Sequence, residues 1–273
     1  MYTIYNWTTG SNVEIEDSCG PFQVLSYRKN LSAPSSSAQQ AYYESRMRKR
    51  KRQLVCQLEV EDVLVAQGMM QWMVGDCEMV SGVSNILSYF EKLMVSRITK
   101  QSAISPHYSG TGTIALEPVE DEILLLDLDE WPEGVVLESN AFLACSSTIE
   151  QTVVSRKTVS SALFGNEGLF SMCLQGTGYA AILAPCVKEQ LIVIDLEDDA
   201  LRIDGHVAIA WSNSVSFTVE NSGATAAASV ISDEGMINTY RGTGRVLLAP
   251  FGSGEIQGRK RRKAVEQEAQ ENK

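Results

Sequence analysis

The sequence predicts an all-β protein: a β-sandwich or double-stranded β-helix built from three related antiparallel units, with one helical basic insert. Three observations predict it. A short phrase recurs, with Gly110-Thr-Gly112, Gly176-Thr-Gly178 and Gly242-Thr-Gly244 each followed by an apolar run and a proline, and both intervals are 66 residues. A fixed period in a sequence of ordinary complexity marks a copied structural unit. The period also holds outside that phrase, because Leu137–Ser146 matches Ile203–Ser212 and Thr152-Val153 matches Thr218-Val219. Finally, apolar and polar residues alternate through Thr113–Glu117, the period of a half-buried strand.

Units of roughly 54–118, 119–185 and 186–250 follow, the first being the most diverged. Each is longer than a solenoid rung, so a small antiparallel layer is expected. Before them, Tyr2–Tyr5, Val13–Glu16 and Phe22–Tyr27 read as strands separated by turns at Gly10–Asn12 and Gly20-Pro21. The serines at 35–37 can cap a helix over Ala38–Gln53, a stretch rich in good helix formers. Later, Leu124–Asp129 and Ile192–Glu197 read as strands ending in acidic turns, the second at Glu197–Asp199. The apolar stretch 82–94 fits a short helix or a loop. Residues 1–252 are thus one β body with an insert at 34–53, and 253–273 is a mobile basic and polar tail.

Composition narrows the class. With 273 residues, 44% of them hydrophobic, the chain can bury a core without disulfides or metals. Its six cysteines show no Cys-x-x-Cys spacing and read as free thiols of a reducing compartment. The first twenty residues carry acids and no apolar signal core, and no apolar run approaches a membrane span, so a soluble cytoplasmic protein is expected. A net charge of −11 disfavours non-specific nucleic-acid binding by the body as a whole.

The glycine phrase invites a nucleotide-binding reading, which needs a following helix to hold the phosphate. Here a strand follows in all three copies, so Gly110, Gly112, Gly176, Gly178, Gly242 and Gly244 are read as structural bends. Together with Gly165–Phe170, Asp204–Ser212 and Asp233–Pro250, these turns resemble the altered-inheritance-of-mitochondria family in its bacterial branch. The resemblance runs from about Val63 to Pro250 and departs in detail at Asp233–Met236 and Gly68–Met70. It implies a fold similar to the tryptophan RNA-binding attenuator and a homo-oligomer, most simply a trimer. It supplies no catalytic residues and no cofactor.

Chemistry-bearing residues are sparse. His107 and His206 are the two histidines, and no metal-ligand spacing surrounds them. Glu167 and Glu234 recur before glycine and read as turn devices; with His206 they form the alternative, a polar pocket of an uncharacterised enzyme. The basic run of Arg46, Arg48, Lys49, Arg50, Lys51 and Arg52 is the sharpest candidate. On a helix these charges surround the axis and face solvent. They suit docking on the chain's own acidic surface or on a neighbouring subunit; RNA or an anionic membrane surface is the alternative. Arg259–Lys263 reads the same way. The function expected is a non-enzymatic oligomeric scaffold or binding protein, with no cofactor and no metal. Met69, Met70, Met73 and Met79 are available for a subunit interface or for the core.

Overall fold

The computed structural model describes residues 2–8, 10–47, 49–80, 105–155, 157–158, 170–221 and 236–250. Arg48, Glu167, Glu234, the 82–94 stretch and the 253–273 tail with Arg259–Lys263 lie outside the described residues. The chain is all-β. Its strands run β1 (Val13–Cys19), β2 (Phe22–Tyr27), β3 (Lys51–Gln57), β4 (Val63–Val65), β5 (Met70–Val80), β6 (His107–Leu116), β7 (Glu122–Asp127), β8 (Val135–Leu137) and β9 (Phe142–Ser146). They continue as β10 (Glu150–Ser155), β11 (Lys157–Thr158), β12 (Phe170–Gln175), β13 (Tyr179–Ala184), β14 (Ile192–Asp204), β15 (Ala208–Ser212), β16 (Ser216–Asn221) and β17 (Met236–Leu248). Among the described residues one α-helix, α1 (Ala38–Arg46), follows a 3-10 turn at Ser35–Ser37.

Two sheets form. The first follows the order β1-β2-β3-β6-β4-β9-β13-β7, with β5 on β6; the second follows β10-β12-β8-β15-β17-β16-β11, with β14 on β17. Pairing is antiparallel except between the two-residue β11 and β16. Three apolar clusters fill the interior. One gathers Phe22, Leu54, Val63, Ile114 and Leu143; a second Leu128, Trp131, Leu174 and Ile182; a third Val136, Trp211, Tyr240 and Val246. In the last, Trp211, Phe217 and Tyr240 pack ring on ring with centroids 5.1 to 5.7 Å apart. Such aromatic contacts add to the burial of their own area.

Each Gly-Thr-Gly lies where a strand changes neighbours. In β6, His107 and Tyr108 pair with β4, and Thr113–Ala115 pair with β3. In β17, Met236–Arg241 pair with β16, and Val246–Leu248 with β15. Between Gln175 and Tyr179 the chain leaves the second sheet as β12 and enters the first as β13. No helix starts at any of the three. The bonds around the second and third bends also correspond. Ser146 Oγ accepts from the Tyr179 N–H at 3.0 Å, and Ser212 Oγ accepts from the Arg245 N–H at 2.9 Å. Thr148 Oγ1 donates to the Thr177 carbonyl at 3.0 Å, as Ser214 Oγ does to that of Thr243 at 2.8 Å. A backbone bond of 2.7 Å closes each bend's outgoing strand: Glu117 to Met69, Leu183 to Ala141 and Ala249 to Val207.

Three expectations need correction. Tyr2–Tyr5 is not a strand; Tyr2 is fixed instead by its hydroxyl against Thr113 Oγ1 at 2.8 Å, and Trp7 packs edge-on to Trp72. The acids Glu197–Asp199 do not end a strand. Glu197 and Asp198 form a bulge inside β14 opposite Thr243, between the pairs Leu196 with Gly244 and Asp199 with Gly242; Asp198 has φ +51° and its N–H donates to Thr243 Oγ1 at 3.0 Å. The helix stops at Arg46 rather than Gln53, because Lys51–Gln57 pairs with β2 and buries Arg52–Cys56. Pairing and burial outweigh the modest helix propensity of the basic run.

Candidate anion-binding site

The basic run is split three ways. Arg46 ends α1 and is exposed, whereas Arg50 and Arg52 turn inward on the β-hairpin side. Two-residue alternation sends their side chains to one face of the sheet, where β1 offers Glu14 and Glu16 at the same spacing. Arg50 donates to Glu14 Oε1 and, at 3.4 Å, to Ser26 Oγ; its Nε has no partner. Arg28 reaches the other oxygen of Glu14 at 2.8 and 3.0 Å. Its hydrogen bonds, with the charge of Arg50, hold the Glu14 carboxyl below its ordinary range.

Arg52 is buried at 3% exposure. It grips Glu16 with Nε and Nη2 at 2.8 and 3.1 Å and places Nη2 2.6 Å from Glu122 Oε2. Burial nonetheless pushes the Glu122 carboxyl up to about 7. The guanidinium opposes that rise, but Glu16 shares it, and Glu189 and Asp121 add negative charge nearby. Arg52 is therefore a structural cation that is already neutralised.

The remaining cations meet in a cavity of about 440 Å³ between α1, the 28–32 loop and the start of β3. Arg28, Lys29, Lys49, Arg50 and Lys51 line it, against the carboxylates Glu44 and Glu120. Glu44 is tied down by the Gln40 amide at 2.8 Å. Asn12 clamps the loop from both sides, accepting from the Lys29 N–H at 3.0 Å and donating to its carbonyl at 2.9 Å. Asn30 closes an Asx turn onto the Ser32 N–H. Among the described residues, Lys29, Lys49 and Lys51 have no carboxylate within ion-pair distance. The Ser32 hydroxyl and the second amide hydrogen of Asn12 complete a wall that can hold an anion by charge and by hydrogen bonds, while Ser45 spends its hydroxyl proton on the Tyr42 carbonyl at 2.8 Å.

Of the sequence candidates, Lys49, Arg50 and Lys51 come together here, while Arg46 and Arg52 do not line the cavity. Arg28 and Lys29 escaped the sequence reading because two adjacent charges after a strand look like an ordinary turn. His206 is exposed in the loop between β14 and β15 and stands apart from this cavity. His107 lies on β6, its Nε2 3.5 Å from Asp62 Oδ2. The six bend glycines do not line the cavity either. Among the described residues, no group of three His, Cys, Asp or Glu side chains is placed to hold a metal, and no helix is long and apolar enough to cross a membrane.

With the two-sheet architecture described, comparison with known proteins decides the family. The model of the family described as mitochondrial biogenesis AIM24 matches residues 43–251. The chain belongs to that family. An uncharacterised protein of Streptococcus pyogenes serotype M6 is 31% identical over 141 residues, covering 51% of this chain. The chain spans about half, 54%, of that relative's length. A crystal structure of another Streptococcus pyogenes protein superposes with a TM-score of 0.54 at 21% identity, over 78% of this chain and 94% of that one. That likeness concerns the fold. The AIM24 match begins inside α1, so Arg28, Lys29 and the first turn of the helix lie before it.

Proposed function

We propose that this AIM24-family protein is a non-enzymatic, homo-oligomeric binding module that captures an anion carrying phosphate or carboxylate groups in the cavity beside α1. One observation carries the reading: five cationic side chains line a 440 Å³ cavity with two carboxylates, and among the described residues its three lysines have no carboxylate within ion-pair distance. In a protein of net charge −11, such a concentration is a local reversal of sign that recruits anions. Calorimetric titration with pyrophosphate tests it. The wild type binds, with affinity falling as salt rises, and Lys49→Glu with Lys51→Glu lowers affinity by about tenfold or more. Unchanged affinity in that double variant contradicts the reading.

The oligomer belongs to the same proposal. The matching bends support three related units arranged as in the attenuator-type fold, and a homotrimer of such chains. The strands β5 and β14 each pair on one side, with β6 and β17, and expose Met73, Met79, Ile192 and Val193. Met69 and Met70 pack against the first apolar cluster instead. Light scattering is expected to give the mass of three chains, and Met73→Glu with Val193→Glu to give that of one. The setting proposed is the cytoplasm, supported by six cysteines that are all free.

A further inference from the structure

The segment that walls the cavity also carries four exposed apolar side chains. Met47 is 81% exposed and Leu31 76%, with Tyr42 and Tyr43 at 59% and 57%. Leu31 lies on the loop wall, opposite the helix. On α1, Gln40, Ala41, Glu44 and Ser45 face the cavity. The 3.6-residue period then puts Tyr42, Tyr43 and Arg46 on the outward side, with Met47 following at the helix end. Arg46 has no carboxylate within ion-pair distance among the described residues and is free to reach a phosphate. Tyr42 and Tyr43 meet edge-on with ring centroids 5.5 Å apart, yet two tyrosines, a leucine and a methionine stay largely in solvent around a cationic cavity, which costs solvation.

We infer that this insert is a membrane-docking face: the lysine-rich cavity takes the phosphate headgroup of an anionic phospholipid while Leu31, Tyr42, Tyr43 and Met47 enter the interfacial region. The chemistry favours a bilayer over RNA. Leu31 and Met47 have no flat face for a base to stack on, whereas aliphatic tips suit the acyl boundary. Tyrosine suits a boundary wet on one side and apolar on the other. Each unpaired cation near an anionic leaflet adds attraction, and screening confines that attraction to this face of an otherwise acidic body. The inference rests on the anion-binding reading of the same cavity and adds the apolar component that a soluble anion does not need.

Co-sedimentation with vesicles of phosphatidylcholine, with and without phosphatidylglycerol, tests it alongside the pyrophosphate titration. The variant carries Tyr42→Gln, Tyr43→Gln and Met47→Gln, exposed changes that keep good helix formers and lie outside the cavity wall. The expected result is binding of wild-type protein to the phosphatidylglycerol vesicles and about tenfold weaker binding of the variant, with pyrophosphate affinity retained. Retained pyrophosphate affinity also reports that the variant is folded. Equal vesicle binding by variant and wild type overturns the inference. Pyrophosphate binding without vesicle binding overturns it and leaves the anion reading standing; loss of both removes the two together. Retention of single-stranded RNA in place of vesicles also overturns it.

Discussion

Gly110→Ala is expected to destabilise the fold by about 3 kcal/mol or more, while Gly205→Ala costs about 1 to 2 kcal/mol. Both glycines hold positive φ, +112° and +85°. They differ in what a Cβ would meet. At Gly110 it would stand 2.1 Å from the Asp76 carbonyl oxygen and 3.3 Å from Cys77 Cα, both backbone atoms of β5. Relief requires parting β5 from β6 along a ladder that runs from Met70 to Val80. At Gly205 nothing lies within 4 Å, so backbone strain acts alone. Denaturant midpoints of the two variants give the comparison. Equal losses would mean that close strand approach plays no part at the bend.

The second large effect concerns the buried charges beside β3. Arg52→Leu leaves Glu16 and Glu122 without their shared cation and is expected to cost about 3 to 5 kcal/mol at neutral pH. The pH dependence has a definite sign. The Glu122 carboxyl is raised from 4.5 to about 7 in the folded protein. Between those values the folded state binds a proton that the unfolded state has released. This stabilisation is fully present below pH 4.5 and is lost as pH rises through 7, amounting to about 3 kcal/mol across the window. Glu122→Gln is therefore expected to flatten the stability profile between pH 4.5 and 7. In Arg52→Leu the pH-dependent window extends above 7, because no cation then opposes the rise. A Glu122→Gln profile that keeps the wild-type slope would contradict this assignment.

The fold was legible where pattern and geometry share one period. The glycine phrase falls inside β6 and β17 and between β12 and β13, where strand partners change, and Phe22–Tyr27 is a strand with the bounds read from the sequence. The sequence erred where tertiary partners decide. Lys51 and Arg52 look helical beside Arg46, yet Tyr27 and Ser26 pair with them across β2. Glu197–Asp199 look like a turn, yet β17 supplies a continuous partner strand, with Gly242 and Gly244 in the pairs that flank the bulge. The site was half legible. A run of like charge flagged Lys49, Arg50 and Lys51, but nothing in the run tells Arg50 and Arg52, paired with Glu14 and with Glu16 and Glu122, from the lysines at 49 and 51, which have no carboxylate partner among the described residues. Arg28 and Lys29 join only through the β1–β2 hairpin, a contact that short-range sequence does not encode.

Amine-directed acylation of the intact protein, mapped lysine by lysine with and without pyrophosphate, tests the cavity assignment most directly. Lys29, Lys49 and Lys51 should lose reactivity together when the anion is added, while Lys188, which does not line the cavity, keeps its own. Protection spread evenly over all lysines, or confined to residues outside the cavity, would contradict it.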